Sequence, residues 1–303
     1  MGNEPQIYGK GLVSVVTPVF NGEKYVSRLL QSVLDQTYPR VEMILVDDGS
    51  EDRTVLAAER YREQFARKGY RYEIIRAPHK NASAALNRGL PLVRGEYLVW
   101  PDGDDRLAPE SIEARVRFLL ENPAYSCVRS LPSYFDDKTG LPAKAQERRG
   151  ELAKEELFWD VLEGKTFVCC GCYMLKSQRF FEIYPEKRIP EYDVGQNFQM
   201  LLPFLYRYKC PTVQRELYEV AVREGSSSRR ALSERERAER YEGFERLVDD
   251  IAAICAIQDK PSEKRLLQWK LRRRLDLARS TGKWDQAVRA LWRLCLAGGG
   301  RWP

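Results

Sequence analysis

The chain has 303 residues, 43% hydrophobic and 31% charged, with 50 Lys and Arg, 44 Asp and Glu, one His and seven Cys. That length and apolar content can bury a large core, which excludes a mainly disordered chain, and no run approaches the roughly 18 to 20 consecutive apolar residues of a membrane-spanning helix. The net charge of +6 is unevenly spread: residues 260–303 hold 12 Lys and Arg against three Asp and Glu, giving +9, so the preceding 259 residues sum to −3.

The start, MGNEPQIYGKG, lacks the charged-then-apolar order of a signal peptide. The cysteines are odd in number and mostly solitary, unlike the dense even framework of a small secreted domain. Reduced thiols and a cytosolic setting are therefore expected.

The first 130 residues alternate apolar β-rich runs with helix-periodic segments. LVSVV (12–16), VEMILV (41–46), YRYEIIR (70–76) and EYLVW (96–100) read as strands of a mostly parallel sheet with crossover helices. Val26, Leu29, Leu30, Val33 and Leu34 recur at helical spacing, with Pro39 expected to stop that helix. After Trp100 comes the polar turn Pro101-Asp102-Gly103-Asp104-Asp105, and Pro109 then opens a helix with apolar Ile112, Val116, Leu119 and Leu120.

Residues 131–154 read as a long polar connection, followed by the apolar run TFVCCGCYML (166–175) and a helix-like QNFQMLLPFLY (196–206) that Pro203 should kink or end. From about Ser226 the pattern becomes helical and charged, with candidate helices near 233–258, 261–280 and 284–296. The expected division is an α/β domain over 1–225, in two halves at about 12–130 and 131–225, and a basic helical region over 226–303.

Two carboxylate clusters lie just past separate strands: Asp47-Asp48, and Asp102 with Asp104 and Asp105. In an open parallel sheet the carboxyl ends of the strands face a shared ligand crevice. Carboxylates converging there repel one another unless a cation compensates, and magnesium or manganese takes one or two carboxylates plus phosphate oxygens and water. The bland alternative is that Asp-Gly-Ser and Asp-Gly-Asp are simply turn formers.

Together with the opening strand the clusters say more. VSVVTPVFNGEKYVSRLLQSVLDQTYPRVEMILVDDGSEDRT followed by LNRGLPLVRGEYLVWPDGDD resembles the family 2 glycosyltransferases of GT-A fold, over roughly residues 12–220. The resemblance implies a Rossmann-like nucleotide-diphospho-sugar fold with flanking helices, a nucleotide-binding half at about 12–130 and an acceptor half at about 131–225, and a C-terminal helical extension. It implies that Pro18, Phe20 and Asn21 surround the nucleotide base together with Asp48, whose carboxylate accepts from a uracil ring nitrogen, and that Asp47 shapes the same pocket. It further implies that Asp102-Gly103-Asp104 touches the ribose and a divalent ion, Mn2+ or Mg2+, with Asp105 a further metal candidate. Lys80, Asn81, Asn87 and Arg88 would lie next to the donor.

The implied reaction moves a sugar from a nucleotide-diphosphate donor, UDP-linked by expectation, to an acceptor hydroxyl on a polysaccharide, lipid-linked glycan or glycoprotein, with inversion. Three positions depart from the family. Leu86 stands where an Arg is frequent. Gln196 and Asn197 stand where an Asp or Glu-Asp pair supplies the base, so Asp193, and next to it Glu191, are the candidates. A late His is absent from VREGSSSR, where Arg223, Arg229 and Arg230 could steady the diphosphate instead. These departures motivate an alternative, a catalytically degenerate nucleotide-binding relative.

The remaining features read more plainly. Cys169 and Cys172 have Cys-x-x-Cys spacing without a second pair, which favours buried cysteines over zinc. His79 reads as a solvated loop residue outside the site. The basic segment Lys264–Arg274 with Trp284, Leu291 and Trp292 reads first as a solvated surface, next as a peripheral contact with the inner face of an anionic membrane, and last as a nucleic-acid contact, which is not expected. A Rossmann dehydrogenase or P-loop enzyme is disfavoured, because neither glycine motif follows the first strand.

Overall fold

The structure is a computed structural model and describes residues 8–144, 149–223 and 232–298. It divides into two compact units, Met1–Glu191 with Gln196–Arg223, and Tyr192–Gly195 with Glu224–Pro303.

In the first unit the elements run β1 (Gly9–Val19), α1 (Val26–Leu34), β2 (Val41–Asp47), α2 (Thr54–Glu59), α3 (Arg62–Arg67), β3 (Arg71–Arg76), α4 (Ala82–Gly89), β4 (Gly95–Val99), β5 (Arg106–Leu107), α5 (Ser111–Glu121), β6 (Cys127–Asp136), α6 (Phe158–Leu162), β7 (Tyr173–Lys176), α7 (Ser177–Ile183), α8 (Gln196–Arg207) and β8 (Thr212–Val222). One eight-stranded sheet has the order β3-β2-β1-β4-β7-β6-β8-β5. β3, β2, β1 and β4 are mutually parallel, whereas β7 joins β4 and β6 antiparallel. β6 pairs parallel with β8, and β5 closes that edge antiparallel.

The parallel half follows from its residues. β2 is buried at every position, as expected of a strand covered on both faces. Val26, Leu29, Leu30 and Val33 of α1 are fully buried. Gly89 ends α4 against the sheet, where an added Cβ would lie 2.6 Å from Val16 and 3.1 Å from Val46. Strand order turns back at β1, which lies between β2 and β4, so the loops leaving β1 and β4 flank a topological switch point.

Several local expectations are corrected. α1 stops at Leu34, before Pro39, in a turn in which Gln36 donates its side-chain amide to the Ser32 and Ala108 carbonyls. Leu120 is exposed rather than core. Residues 131–136 continue β6 instead of opening a loop: Pro132 sits where the register with β8 shifts, a place where a ladder tolerates a missing N–H. Of the run 166–175, only the residues from Tyr173 on are strand, after a tight helical turn at Cys170–Cys172. α8 runs on through Pro203 to Arg207.

In the second unit, α9 (Glu234–Ile254), α10 (Lys260–Ser280) and α11 (Trp284–Leu296) follow one another. Ser233 and Glu236 form a reciprocal capping box at the start of α9, and Asp259 caps α10 by accepting from the Ser262 N–H. Leu275 and Ala278 of α10 pack against Ala287 and Ala290 of α11. Among the described residues, no helix is long and apolar enough to cross a membrane, and no disulfide joins any of the seven cysteines.

Candidate functional site

The carboxyl ends of β1, β2, β3 and β4 point the same way because these strands are parallel, so their exit loops meet. Asn21 leaves β1 with φ +48° and is tied to the β2 exit: its backbone N–H donates to Ser50 Oγ at 2.9 Å, and its Oδ1 accepts from the Glu51 N–H at 2.9 Å. Gly49, in the turn after Asp48, has φ +74°, and a Cβ there would lie 2.6 Å from the His79 backbone nitrogen. Only glycine suits that approach.

This brings Asp48, Phe20 and His79 together. Asp48 is 3% exposed; its Oδ1 accepts from the Lys80 N–H at 3.0 Å. His79 Nδ1 lies 2.9 Å from Asp48 Oδ2 and 3.0 Å from the Asp48 carbonyl, two acceptors, so Nδ1 carries the proton. The imidazole stacks on the Phe20 ring at a centroid separation of 3.9 Å and 16° between planes. His79, set aside in the sequence reading as a bystander, is thus part of this cluster. The signal was available: adjacent parallel strands with Asp47 opposite Arg76 bring the residues just beyond them together.

The Asp102-Gly103-Asp104 turn leaves β4 and lies on the end of β1, where a Gly103 Cβ would sit 3.3 Å from the Pro18 carbonyl and from Val19. Tyr218 of β8 organises it. Its hydroxyl donates to Asp105 Oδ2 at 2.6 Å and accepts from the Asp102 N–H at 3.0 Å. Asp105 Oδ1 accepts from the Ala221 N–H at 2.8 Å. Arg115, fully buried, fixes the chain behind Tyr218 by donating to the Gly171 and Tyr173 carbonyls. A Cβ on Gly171 would lie 2.0 Å from the Tyr218 ring.

Electrostatically this turn is costly. Burial, and then the neighbouring Asp104 charge, push the Asp102 carboxyl up to about 6. Burial and both neighbouring carboxylates push Asp105 up as well. Asp104 is balanced by Arg223, whose Nη2 lies 2.8 Å from its Oδ2, and Arg28 donates to its carbonyl. Arg223 rests over the Tyr25 ring at 4.2 Å, and its Nη1 is buried with no hydrogen-bond partner among the described residues.

A cavity of about 520 Å³ opens beside the first cluster, lined by Asp48, His79, Lys80, Asn87, Arg88, Arg188 and Glu191 among others. Lys80 and Arg188 both pair with Glu191. Asn87 is a clamp: its amide donates to the Ile189 carbonyl at 2.9 Å and to Glu191 at 3.1 Å, and its Oδ1 accepts from the Ile189 N–H at 2.8 Å. Hydrogen bonds from Lys80 and Asn87 lead the causes that hold the Glu191 carboxyl down to about 2.

Several assignments change on this geometry. Asp105 accepts from Tyr218 and from the Ala221 N–H, one bond to each oxygen, so it braces the turn. Asp47 accepts from the Ser50 N–H at 3.3 Å and faces Arg76 at 3.9 Å, bracing the turn instead of lining the cavity. Asn87 is spent on backbone and Glu191 rather than offered to a donor. Glu191, fully ionised and held by two cations, is a poor proton acceptor. Asp193 is exposed, in the short segment Tyr192–Gly195 that groups with the second unit. Asn197 donates to the Val168 carbonyl at 3.3 Å. Arg229 and Arg230 lie outside the described residues.

Among the described residues, no group of three or more His, Cys, Asp or Glu is arranged to hold a metal. A candidate donor set is Asp102 with Asp104: two half-buried carboxylates two residues apart that repel one another. That fits a hard divalent cation completing its shell from a bound diphosphate.

The model of the family described as Glycosyl transferase family 2 matches residues 14–184, more than half of the chain. The chain belongs to glycosyl transferase family 2.

Among its relatives, a putative teichuronic acid biosynthesis glycosyltransferase, TuaG, of Bacillus subtilis is 34% identical over 177 residues, 57% of this chain and 66% of that protein. An uncharacterized glycosyltransferase of Haemophilus influenzae is 33% identical over 112 residues, 37% of this chain and 43% of that protein. The matches thus span less than two thirds of these relatives. Among solved structures, Staphylococcus aureus TarS 1–349 in complex with UDP-GlcNAc is 19% identical with a TM-score of 0.67, covering 94% of this chain and 81% of that one. The mannosyltransferase PcManGT of Pyrobaculum calidifontis, in complex with GDP-Man and Mn2+, is 19% identical with a TM-score of 0.59, covering 96% and 76%. The fold is accordingly the GT-A fold of this family, a mixed sheet with flanking helices, followed by C-terminal helices.

Proposed function

We propose that this family 2 member is an inverting glycosyltransferase that moves a sugar from a nucleotide-diphosphate donor, UDP-linked, to an acceptor hydroxyl of a glycan or lipid-linked glycan. The observation that carries the reading is the Asp102–Asp104 pair at the exit of β4, on the same sheet edge as Asp48. That TarS and PcManGT are described with UDP-GlcNAc and GDP-Man supports a nucleotide-sugar donor.

In this reading Phe20 offers a ring face and Asp48 an acceptor to the base, and Asn21 holds the turn that presents Phe20. Asp102 and Asp104 would hold a divalent ion, which when bound supplies charge neutralisation at the leaving diphosphate. Arg223 has a buried, unpartnered Nη1 to donate to a phosphate oxygen, with or without release from Asp104. The bond from the anomeric carbon to the phosphate oxygen breaks, the bond to the acceptor oxygen forms on the opposite face, and the acceptor proton goes to a carboxylate. We assign that proton to Asp193 rather than Glu191. Two residues of chain keep Asp193 within about 7 Å of Glu191, and Glu191 is itself held ionised by Lys80 and Arg188.

The test is thermal stability with UDP, GDP, dTDP and ADP, each with and without manganese, followed by a transfer assay. A ligand at 100 times its dissociation constant stabilises by about 2.7 kcal/mol. Stabilisation by one nucleotide that requires manganese, with transfer abolished by Asp104→Asn, is expected. Manganese-independent stabilisation, or unchanged turnover in Asp104→Asn, removes the metal assignment, and binding without transfer across an acceptor panel moves the reading to the degenerate alternative.

A further inference from the structure

α11 carries more apolar surface than its own unit covers. Ala287, Ala290 and Leu294 are buried, the two alanines in the cluster with Leu275 and Ala278 of α10. Trp284, Val288, Trp292 and Leu296, each four residues after the last, are 68%, 65%, 64% and 68% exposed. At about 100° per residue these two sets lie side by side, so the apolar arc continues past the packed face into solvent for the whole length of the helix, about 20 Å.

The border of the exposed stripe carries more cations than anions. Arg289 and Arg293 follow Val288 and Trp292 by one position, and Arg289 pairs with Asp285, the acidic residue of the first turn. Lys264 of α10 stands at the C-terminal end of the stripe, where a Cβ on Gly298 would lie 2.9 Å from its ammonium nitrogen. The segment from residue 260 onward has a net charge of +9. Two Trp in an apolar stripe, with cations along its edge, is the composition of a helix lying in a bilayer interface.

A second copy of the chain fits less well. Four side chains of one helix offer on the order of 500 Å², against about 800 Å² per partner in a stable interface, and two basic edges would face each other. An anionic surface complements the same edge, at about 1 kcal/mol per cation near it, or roughly fivefold in affinity.

We propose that the Trp284–Val288–Trp292–Leu296 face of α11 docks on an anionic lipid bilayer, the rings entering the interface and Arg289, Arg293 and Lys264 meeting the headgroups. This stands apart from the transfer reading, because nucleotide-induced stabilisation can be followed in the same preparations.

The test is co-sedimentation of the full chain with vesicles of 3:1 phosphatidylcholine to phosphatidylglycerol, and of phosphatidylcholine alone. Binding to the anionic vesicles is expected, weakening with salt. Trp284→Ala with Trp292→Ala should lower it by about 100-fold, at roughly tenfold per ring, with the melting temperature and nucleotide response unchanged because both rings are exposed. Arg289→Gln with Arg293→Gln should lower it by about 25-fold on anionic vesicles only. Absence of binding by the wild type, equal binding by the Trp double variant, or a concentration-dependent dimer dissolved by the Trp substitutions without vesicle binding would each overturn the proposal.

Discussion

Asp102→Asn should make the metal-free protein more stable while removing its response to metal. Burial and the Asp104 charge raise the Asp102 carboxyl from 3.8 to about 6. At about 1.4 kcal/mol per unit, ionised Asp102 costs on the order of 3 kcal/mol at neutral pH. Asparagine keeps the shape and deletes the charge, so in EDTA at pH 7.5 the variant should gain about 2–3 kcal/mol, a rise in Tm of about 4–12 °C for a unit of this size.

The pH dependence has a definite sign. The folded state binds this proton more tightly than the unfolded chain between about pH 4 and pH 6, so stability from this group falls as pH rises through that window. The penalty is complete above about pH 7 and absent below about pH 4. The difference between variant and wild type, measured by urea denaturation in EDTA, should therefore shrink from about 3 kcal/mol at pH 7.5 to near zero at pH 4. Manganese with UDP should stabilise the wild type and leave the variant unmoved. A variant less stable than wild type at pH 7.5, or a difference that does not change with pH, would refute the electrostatic reasoning.

Three further outcomes are expected. Tyr218→Phe removes the donor to Asp105 Oδ2, at 2.6 Å, and the acceptor of the Asp102 N–H, at 3.0 Å; a loss of about 2–4 kcal/mol in urea denaturation follows from the two unpaired groups, and a loss below 1 kcal/mol would show that water replaces the hydroxyl. Glu191→Gln should cost about 1 kcal/mol at pH 7, the Lys80 and Arg188 partners being more than half exposed; because the folded carboxyl is lowered from 4.5 to about 2, that stabilisation is present above about pH 5 and lost as pH falls towards 2. Transfer should persist in Glu191→Gln and disappear in Asp193→Asn, and the reverse pattern would exchange their roles. His79→Ala should tighten UDP binding by about fivefold in calorimetry, since the imidazole covers Phe20 at 3.9 Å and occupies Asp48 at 2.9 Å; weaker binding would make the imidazole a wall of the base pocket instead.

The parallel half of the sheet was legible because each of its strands is a continuous apolar run and each crossover carries a helical stripe. What escaped the reading depends on long-range pairing. Pro132 and Ser133 look like loop residues, yet they lie in β6 because β8, some 80 residues later, offers a register shift there. That Asp105 braces the acidic turn shows only through Tyr218, 113 residues away, which donates to its carboxylate. His79 needed the Gly49 turn to come within reach of Asp48, a backbone event that apolar periodicity does not register.

Arg223 ties these threads to the chemistry. It follows directly on β8, the strand whose Tyr218 and Ala221 hold Asp105, and so the element that braces the acidic turn also delivers the cation that balances it. A guanidinium cannot ligate a metal, but it can neutralise Asp104 in the metal-free state and donate to a phosphate in the loaded one. The turn therefore carries a raised carboxyl at Asp102 and a compensated one at Asp104. On the proposed function, such an arrangement would bind a divalent ion weakly by itself and more strongly once a diphosphate shares both the ion and the arginine. Metal and nucleotide should then bind with positive coupling, each raising the affinity of the other by the same factor.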